Sequence, residues 1–157
     1  MTQMFTFGEF MEHAIHGHTY MSGVDRSAGR IKKYAEVFTP NVLVLEVLAK
    51  LQTLDNSAFC GQKTFLDPAC GDGQFLVWVM VMKLTSGNLS LLQDAEFAKH
   101  DVTKEYNLQL GTLYGVDIQQ DNVAKTKKRL CMAVEHMLIL DKNIRCANSL
   151  EYNFNFE

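Results

Sequence analysis

Apolar positions along the chain fall into alternating blocks of helical and extended character. Phe7, Phe10, Met11, Ala14 and Ile15 recur at spacings of three and four, which places them on one face of an N-terminal helix. A loop follows, marked by Ser22-Gly23, Ser27 and Gly29, with Arg26, Arg30, Lys32 and Lys33 forming a basic lead-in. Val42, Leu45, Leu48, Ala49 and Leu54 predict a second amphipathic helix, for which Thr39 is a candidate N-cap and Pro40 a first helical residue. Asp55 to Gln62 is rich in turn formers, and Lys63 to Leu66 reads as a first strand. Phe75 to Met82 is apolar on every side and predicts a helix buried all round, with Trp78 and the methionines as core filler. Ser86-Gly87-Asn88 ends that helix, and Leu89 to Lys99 predicts a short one. Leu113 to Ile118 reads as a second strand, Asn122 to Leu140 as a helix, and Asn143 to Leu150 as a third strand with its exit loop.

The composition narrows the classes of function. At 157 residues the chain is about one domain and has enough residues for a sizeable core. It is 47% hydrophobic and 21% charged with a formal net charge of -3, which gives no support for a wholly basic nucleic-acid binder. Lys125, Lys127, Lys128 and Arg129 form a local basic run, read as a solvated helix face. No apolar run is long enough to span a bilayer, and Met1 to Phe10 lacks the pattern of a signal peptide, so a cytoplasmic location with no membrane partner is expected. Cys60, Cys70, Cys131 and Cys146 are scattered without a C-x-x-C, which argues for reduced thiols over a zinc ribbon or disulfide framework. His13, His16 and His18 cluster, but without an acidic or Cys ligand set at a recognisable spacing they do not make a metal site.

The chemistry centres on Thr64-Phe65-Leu66-Asp67-Pro68-Ala69-Cys70-Gly71-Asp72-Gly73-Gln74-Phe75-Leu76, a strand ending in an acid, a Gly-rich turn and a helix start. Gly71 and Gly73 let bare backbone approach a ligand, and the following helix points its first amides at the same spot. Leu76 occupies the place of the third glycine of a dinucleotide fingerprint, and the Lys-Ser/Thr pair of a triphosphate loop is absent. A turn that binds nothing is the plain alternative. Asp117, at the end of the second strand, is placed to accept hydrogen bonds from ribose hydroxyls, or to cap the helix after it.

The string Asp67-Pro68-Ala69-Cys70-Gly71-Asp72-Gly73-Gln74-Phe75-Leu76 resembles the cofactor motif D-P-A-C-G-[ST]-G-x-F-L of adenine-specific DNA methyltransferases, which bind S-adenosylmethionine (SAM). Glu36-Val37-Phe38-Thr39-Pro40 is similar to the family's E-x-[FY]-T-P element, which lies over the methionine end of the cofactor; capping alone would also explain Thr39 and Pro40. Tyr114-Gly115-Val116-Asp117-Ile118-Gln119 resembles the second motif, whose acid holds the ribose. Asn143-Ile144-Arg145-Cys146-Ala147-Asn148-Ser149-Leu150 resembles the third, commonly ending G-D-[AS]-L, with Asn148 where the acid meets the adenine amino group. An amide oxygen still accepts that bond but without the ionic component; as plain structure, Asn-Ser is a turn. The resemblance thus nominates Phe38, Thr39, Pro40, Asp67, Pro68, Ala69, Cys70, Gly71, Asp72, Gly73, Phe75, Asp117, Ile118, Asn148, Ser149 and Leu150 as cofactor-binding residues.

The resemblance implies an α/β chain with a partial class I SAM-methyltransferase, Rossmann-like fold in three layers. Residues 1–33 would be an N-terminal helical extension and residues 34–157 the SAM-binding domain. The four matches run from Glu36 to Leu150, and the family's catalytic N-P-P-[YF] occurs nowhere in the sequence. In the family that tetrapeptide accepts the adenine amine's hydrogens and stacks on a flipped base. No catalytic residue is therefore nominated. Three strands would leave the first as an apolar edge, which invites another chain. The expectation is a SAM-binding part of an adenine-specific DNA methyltransferase of restriction-modification type, reaching DNA through a partner that supplies the missing half, or self-associating at the first-strand edge. The alternative is a non-catalytic SAM-binding or decoy protein acting on methyltransferase or restriction-modification subunits.

Overall fold

A computed structural model describes residues 3–16, 29 and 39–157. Phe38, together with Glu36, Val37, His18 and residues 22–28 and 30–33 of the loop and basic lead-in, lies outside the described residues. The remainder is mixed α/β: six α-helices and a three-stranded parallel sheet among the described residues. Its fold is compatible with part of a Rossmann-like domain.

The first helix, α1 (Phe7–Ala14), starts at a reciprocal cap: Thr6 Oγ1 accepts from the Glu9 amide at 3.2 Å, and Glu9 Oε2 accepts from the Thr6 amide at 2.7 Å. The face expected from the spacing is the buried one, with Phe7, Phe10, Ala14 and Ile15 in the core. Helix α2 (Asn41–Leu54) differs from expectation at both levels. Pro40 stands at its N-cap, no side chain caps it, and Thr39 precedes it. Val44 and Leu48 are its buried residues, whereas Val42 and Leu54 are 69% and 86% exposed. The expected stripe was off because nine of the fourteen positions of this helix are apolar and run in consecutive blocks, so periodicity could not choose a face.

Strand β1 (Phe65–Asp67) leads through the glycine turn into α3 (Gln74–Leu84), whose residues are all buried except the half-buried Phe75. Two 3₁₀ stretches, Leu89–Gln93 and Phe97–Lys99, take the place of the single short helix expected there. Helix α4 (Thr103–Leu110) then precedes β2 (Leu113–Asp117). The long helix expected over 122–140 is two, α5 (Gln120–Leu130) and α6 (His136–Asn143), broken at Cys131. His136 Nδ1 there accepts the amides of both Met132 and Ala133 at 3.2 Å, replacing the helical bonds lost at the break. Strand β3 (Ile144–Cys146) completes the sheet.

The sheet order is β1-β2-β3, with Leu66 opposite Tyr114 and Val116 opposite Arg145. Register and pleat place Phe65, Leu113, Gly115 and Ile144 on one face and Leu66, Tyr114, Val116 and Arg145 on the other. Helices pack on the first face, where a Cβ on Gly115 would lie 2.8 Å from Leu76 Cδ1 and 3.0 Å from Cys70 Sγ. The second face carries the C-terminal tail, with the Phe156 ring 4.8 Å from that of Tyr114. The described chain therefore has two layers and a strap, where the resemblance implied three. Both crossovers move the same way along the sheet, and right-handed connections then put their helices on one side. A single core cluster unites α1, α2, α3, α4 and the sheet's helix-side face. No helix of the described residues is long and apolar enough to cross a membrane.

Candidate cofactor site

At the carboxyl end of β1 the chain makes two left-handed steps, Gly71 at φ 54° and Gly73 at φ 87°. Side chains rarely adopt such angles, which is the reason for glycine at both positions. Gly73 is the N-cap of α3, and its amide donates to the Cys70 carbonyl at 2.8 Å. A Cβ on Gly73 would meet the Thr126 side chain at 2.8 Å, so α5 closes directly over the turn.

Gly71 is held from both sides. Its amide donates to Asp117 Oδ2 at 2.9 Å, and its carbonyl accepts from Thr126 Oγ1 at 3.1 Å. Asp117 Oδ1 accepts from the Gln119 amide at 2.8 Å and from Asn122 Nδ2 at 3.2 Å. The acid at the end of β2 thus ties the turn to the start of α5. Three bonds occupy three of a carboxylate's roughly four acceptor sites. About one remains for a ligand hydroxyl, fewer than the pair of ribose contacts expected.

Thr39, Asp67, Ala69, Cys70, Gly71, Asp72 and Phe75 come together with Gln74 around one small pocket of about 150 Å³. Pro40 stands next to it as the N-cap of α2. Pro68 faces a different cavity, an apolar groove of about 280 Å³ between α2, β1 and α3, lined also by Leu48, Leu51, Leu66 and Val79. Asp67 Oδ1 accepts from the Ala69 amide at 3.1 Å; burial raises its pKa above the ordinary value, the Ala69 bond opposes this, and Asp117 adds to the rise. Burial, with Asp67 and Asp117 nearby, also pushes the Cys70 thiol well above its ordinary value. Cys70 is therefore a packed thiol and a poor nucleophile.

Asp72 is 1% exposed and turned inward, its carboxylate 3.3 Å from Arg129 Nη1. Burial raises its pKa, and the charges of Arg129 and Lys125 oppose that. Arg129 is itself 0% exposed, which corrects the reading of the 125–129 run as a solvated face. At the third motif, Ser149 Oγ donates to the Pro68 carbonyl and so brings the exit of β3 onto the glycine turn. Asn148 Oδ1 accepts the Leu150 amide at 3.2 Å. Ile118, next after β2, and Leu150, in the turn that follows β3, are 56% and 95% exposed.

No family model, curated protein or solved structure matches the chain. Thr126, Asn122, Gln74, Arg129 and Asn41 are absent from the residues nominated by sequence, yet they hold the turn. One signal was available: Asn122, Thr126 and Arg129 lie at spacings of four and three, in phase with the apolar Val123 and Leu130 of α5. Polar residues in the buried phase of a helix have partners inside. Among the described residues no group of His, Cys, Asp and Glu could hold a metal ion. His13 Nε2 instead pairs with the Lys128 carbonyl at 2.8 Å, and His16 Nδ1 with Glu12 at 2.9 Å.

Proposed function

We propose that the chain is the SAM-binding part of an adenine-specific DNA methyltransferase, carrying the donor site and taking its acceptor site from a second protein. The observation that carries the reading is the pairing of Gly71 and Asp117. A left-handed glycine turn at the end of one parallel strand is bonded, at 2.9 Å, to the acid ending the next strand. Ligands of open α/β sheets bind outside the carboxyl ends of the strands, with their polar groups on such turns and acids. The pocket among Thr39, Asp67 and Phe75 suits the methionine end, and the exposed Ile118 and Leu150 offer apolar surfaces for the adenine ring. Such an enzyme aligns the adenine amine with the SAM methyl for in-line transfer, so positioning does most of the work. Within the site no described side chain stands out as an acid, base or nucleophile for that step. That favours a chain inactive by itself, and it is equally compatible with the non-catalytic SAM-binding or decoy reading.

Calorimetry of the purified chain with SAM and S-adenosylhomocysteine is the test. One ligand per chain is expected, abolished by Asp67→Ala and Gly71→Asp without unfolding. Asp117→Asn should weaken binding by about 1–3 kcal/mol, the scale of a lost charged hydrogen bond. Unchanged affinity in all three variants overturns the site. An accompanying protein that begins with a strand and N-P-P-[YF], and that restores methylation of DNA adenine when added, separates the enzyme reading from the decoy.

A further inference from the structure

The buried guanidinium of Arg129 reaches three parts of the chain at once. Nε donates to the Ala14 carbonyl at the end of α1 at 2.9 Å, Nη1 to the Asp72 carbonyl in the glycine turn at 3.3 Å, and Nη2 to Gln74 Oε1 at 2.7 Å. The other end of the Gln74 amide donates to Asn41 Oδ1, which also accepts Trp78 Nε1 at 3.0 Å. The end of α1, bonded by Arg129, and the start of α2, bonded by Gln74, are therefore joined through the buried Arg129–Gln74 pair beside the turn. Arg129, Gln74 and Asp72 are 0%, 3% and 1% exposed, so water does not replace a broken member easily. The Ala14 carbonyl lies at the helix C-terminus, where intrahelical donors run out.

We propose that Arg129 is a positioning residue that couples the docking of α1 to the conformation of the glycine turn. A planar fork with fixed donors can hold three acceptors in one geometry, which an ammonium on a flexible stem cannot. Loosening α1 then loosens the turn, and by reciprocity whatever orders the turn orders α1. The ligand half of this coupling rests on the SAM reading. The coupling itself does not.

Hydrogen exchange read by mass spectrometry or NMR tests it without a ligand. Phe10→Leu weakens the docking of α1, because Phe10 is fully buried with its ring 5.1 Å from that of Tyr106. In the native background this substitution should speed exchange of the Gly71, Asp72 and Gly73 amides about tenfold, within the usual range of coupling between sites. In an Arg129→Lys background, which keeps the charge beside Asp72 but loses the fork, the acceleration should fall to about twofold or less. Gln74→Leu serves as a second decoupling variant and should give an intermediate value, since the direct Arg129 bond to Asp72 survives. Acceleration confined to α1, or undiminished in both decoupling variants, overturns the proposal. Saturation with S-adenosylhomocysteine should slow exchange over residues 11–15 in the native chain and not in Arg129→Lys. Calorimetric binding without that slowing also overturns the coupling. Absence of binding removes the SAM reading instead, and the ligand-free comparison still decides the role of Arg129.

Discussion

The two faces of the sheet are built to different standards. On the helix side Leu113 and Ile144 are each 1% exposed, and Gly115 is a glycine because Leu76 and Cys70 leave no room for a Cβ. On the other side Leu66 is 48% exposed, Tyr114 is half-buried, and only the central Val116 is fully covered. The cover there is the tail, in which Phe154 adopts φ 53° and remains 37% exposed. Parallel sheets are ordinarily buried on both faces. This chain completes one face from its own residues and leaves the other, together with the outer edge of β1, lightly dressed. The side that holds the glycine turn is the side with the dense interior, and the side open to a partner is the opposite one.

The contrast breaks if substitutions on the two sides cost the same. The largest effect is expected at Arg129. Arg129→Ala strands the Asp72 carboxylate in the interior, and removing one partner of a buried pair costs about 3–5 kcal/mol. Denaturant unfolding measures it. Next comes Gly115→Val, which forces a branched side chain against Leu76 and Cys70 and should cost about 1–3 kcal/mol by overpacking. On the open side Leu66→Lys should change unfolding by no more than about 0.5 kcal/mol, as an exposed substitution. Its effect should appear in association. The unsubstituted chain should show concentration-dependent self-association at the β1 edge in light scattering, and a lysine on that edge should suppress it. A dilute, monodisperse native chain would remove the argument for an edge that seeks a partner.

How far the fold was legible follows the same division. The three strands, the all-round apolar α3 and the buried face of α1 were readable because their patterns admit one interpretation. Thr6 and Glu9, three residues apart, match the spacing from cap to third helical position in the cap of α1. Helix α4 was missed because Thr103–Leu110 is short and mixed in character, and its burial of Tyr106 depends on the distant Phe5 and Phe10. The break at Cys131 was missed because no Gly or Pro marks it; a histidine five residues on supplies the hydrogen bonds instead. At the site, glycines and strand-end acids were legible from their types and spacing. The clamp beneath them was not, because Ala14, Arg129, Gln74 and Asn41 come from four elements and meet only after folding.

His136 gives the most specific effect, and it lies wholly on the dense side. It is 2% exposed, accepts two amides at Nδ1, and pairs through Nε2 with Asn107 Oδ1 at 2.8 Å. Those partners require neutral imidazole with the proton on Nε2, because a protonated Nδ1 cannot accept. Burial lowers its pKa below 6.5, with Glu135 opposing that shift. The sign follows from proton counting: below pH 6.5 the unfolded chain binds a proton that the folded chain refuses. Stability is therefore lost as the pH falls through the unfolded value toward the lower folded one. In His136→Gln the side chain does not titrate, so its stability should lack this share of the slope. The variant should be less stable than the native chain at pH 7.5, and the gap should narrow steadily between pH 7 and pH 5. Taking the difference of the two curves cancels the opposite contributions of Asp67 and Asp72, whose raised values make the folded chain gain stability as acid is added. A gap that stays constant across that range would mean that His136 is open to water and protonates as freely folded as unfolded, and the dense side would not be as closed at α6 as its packing implies.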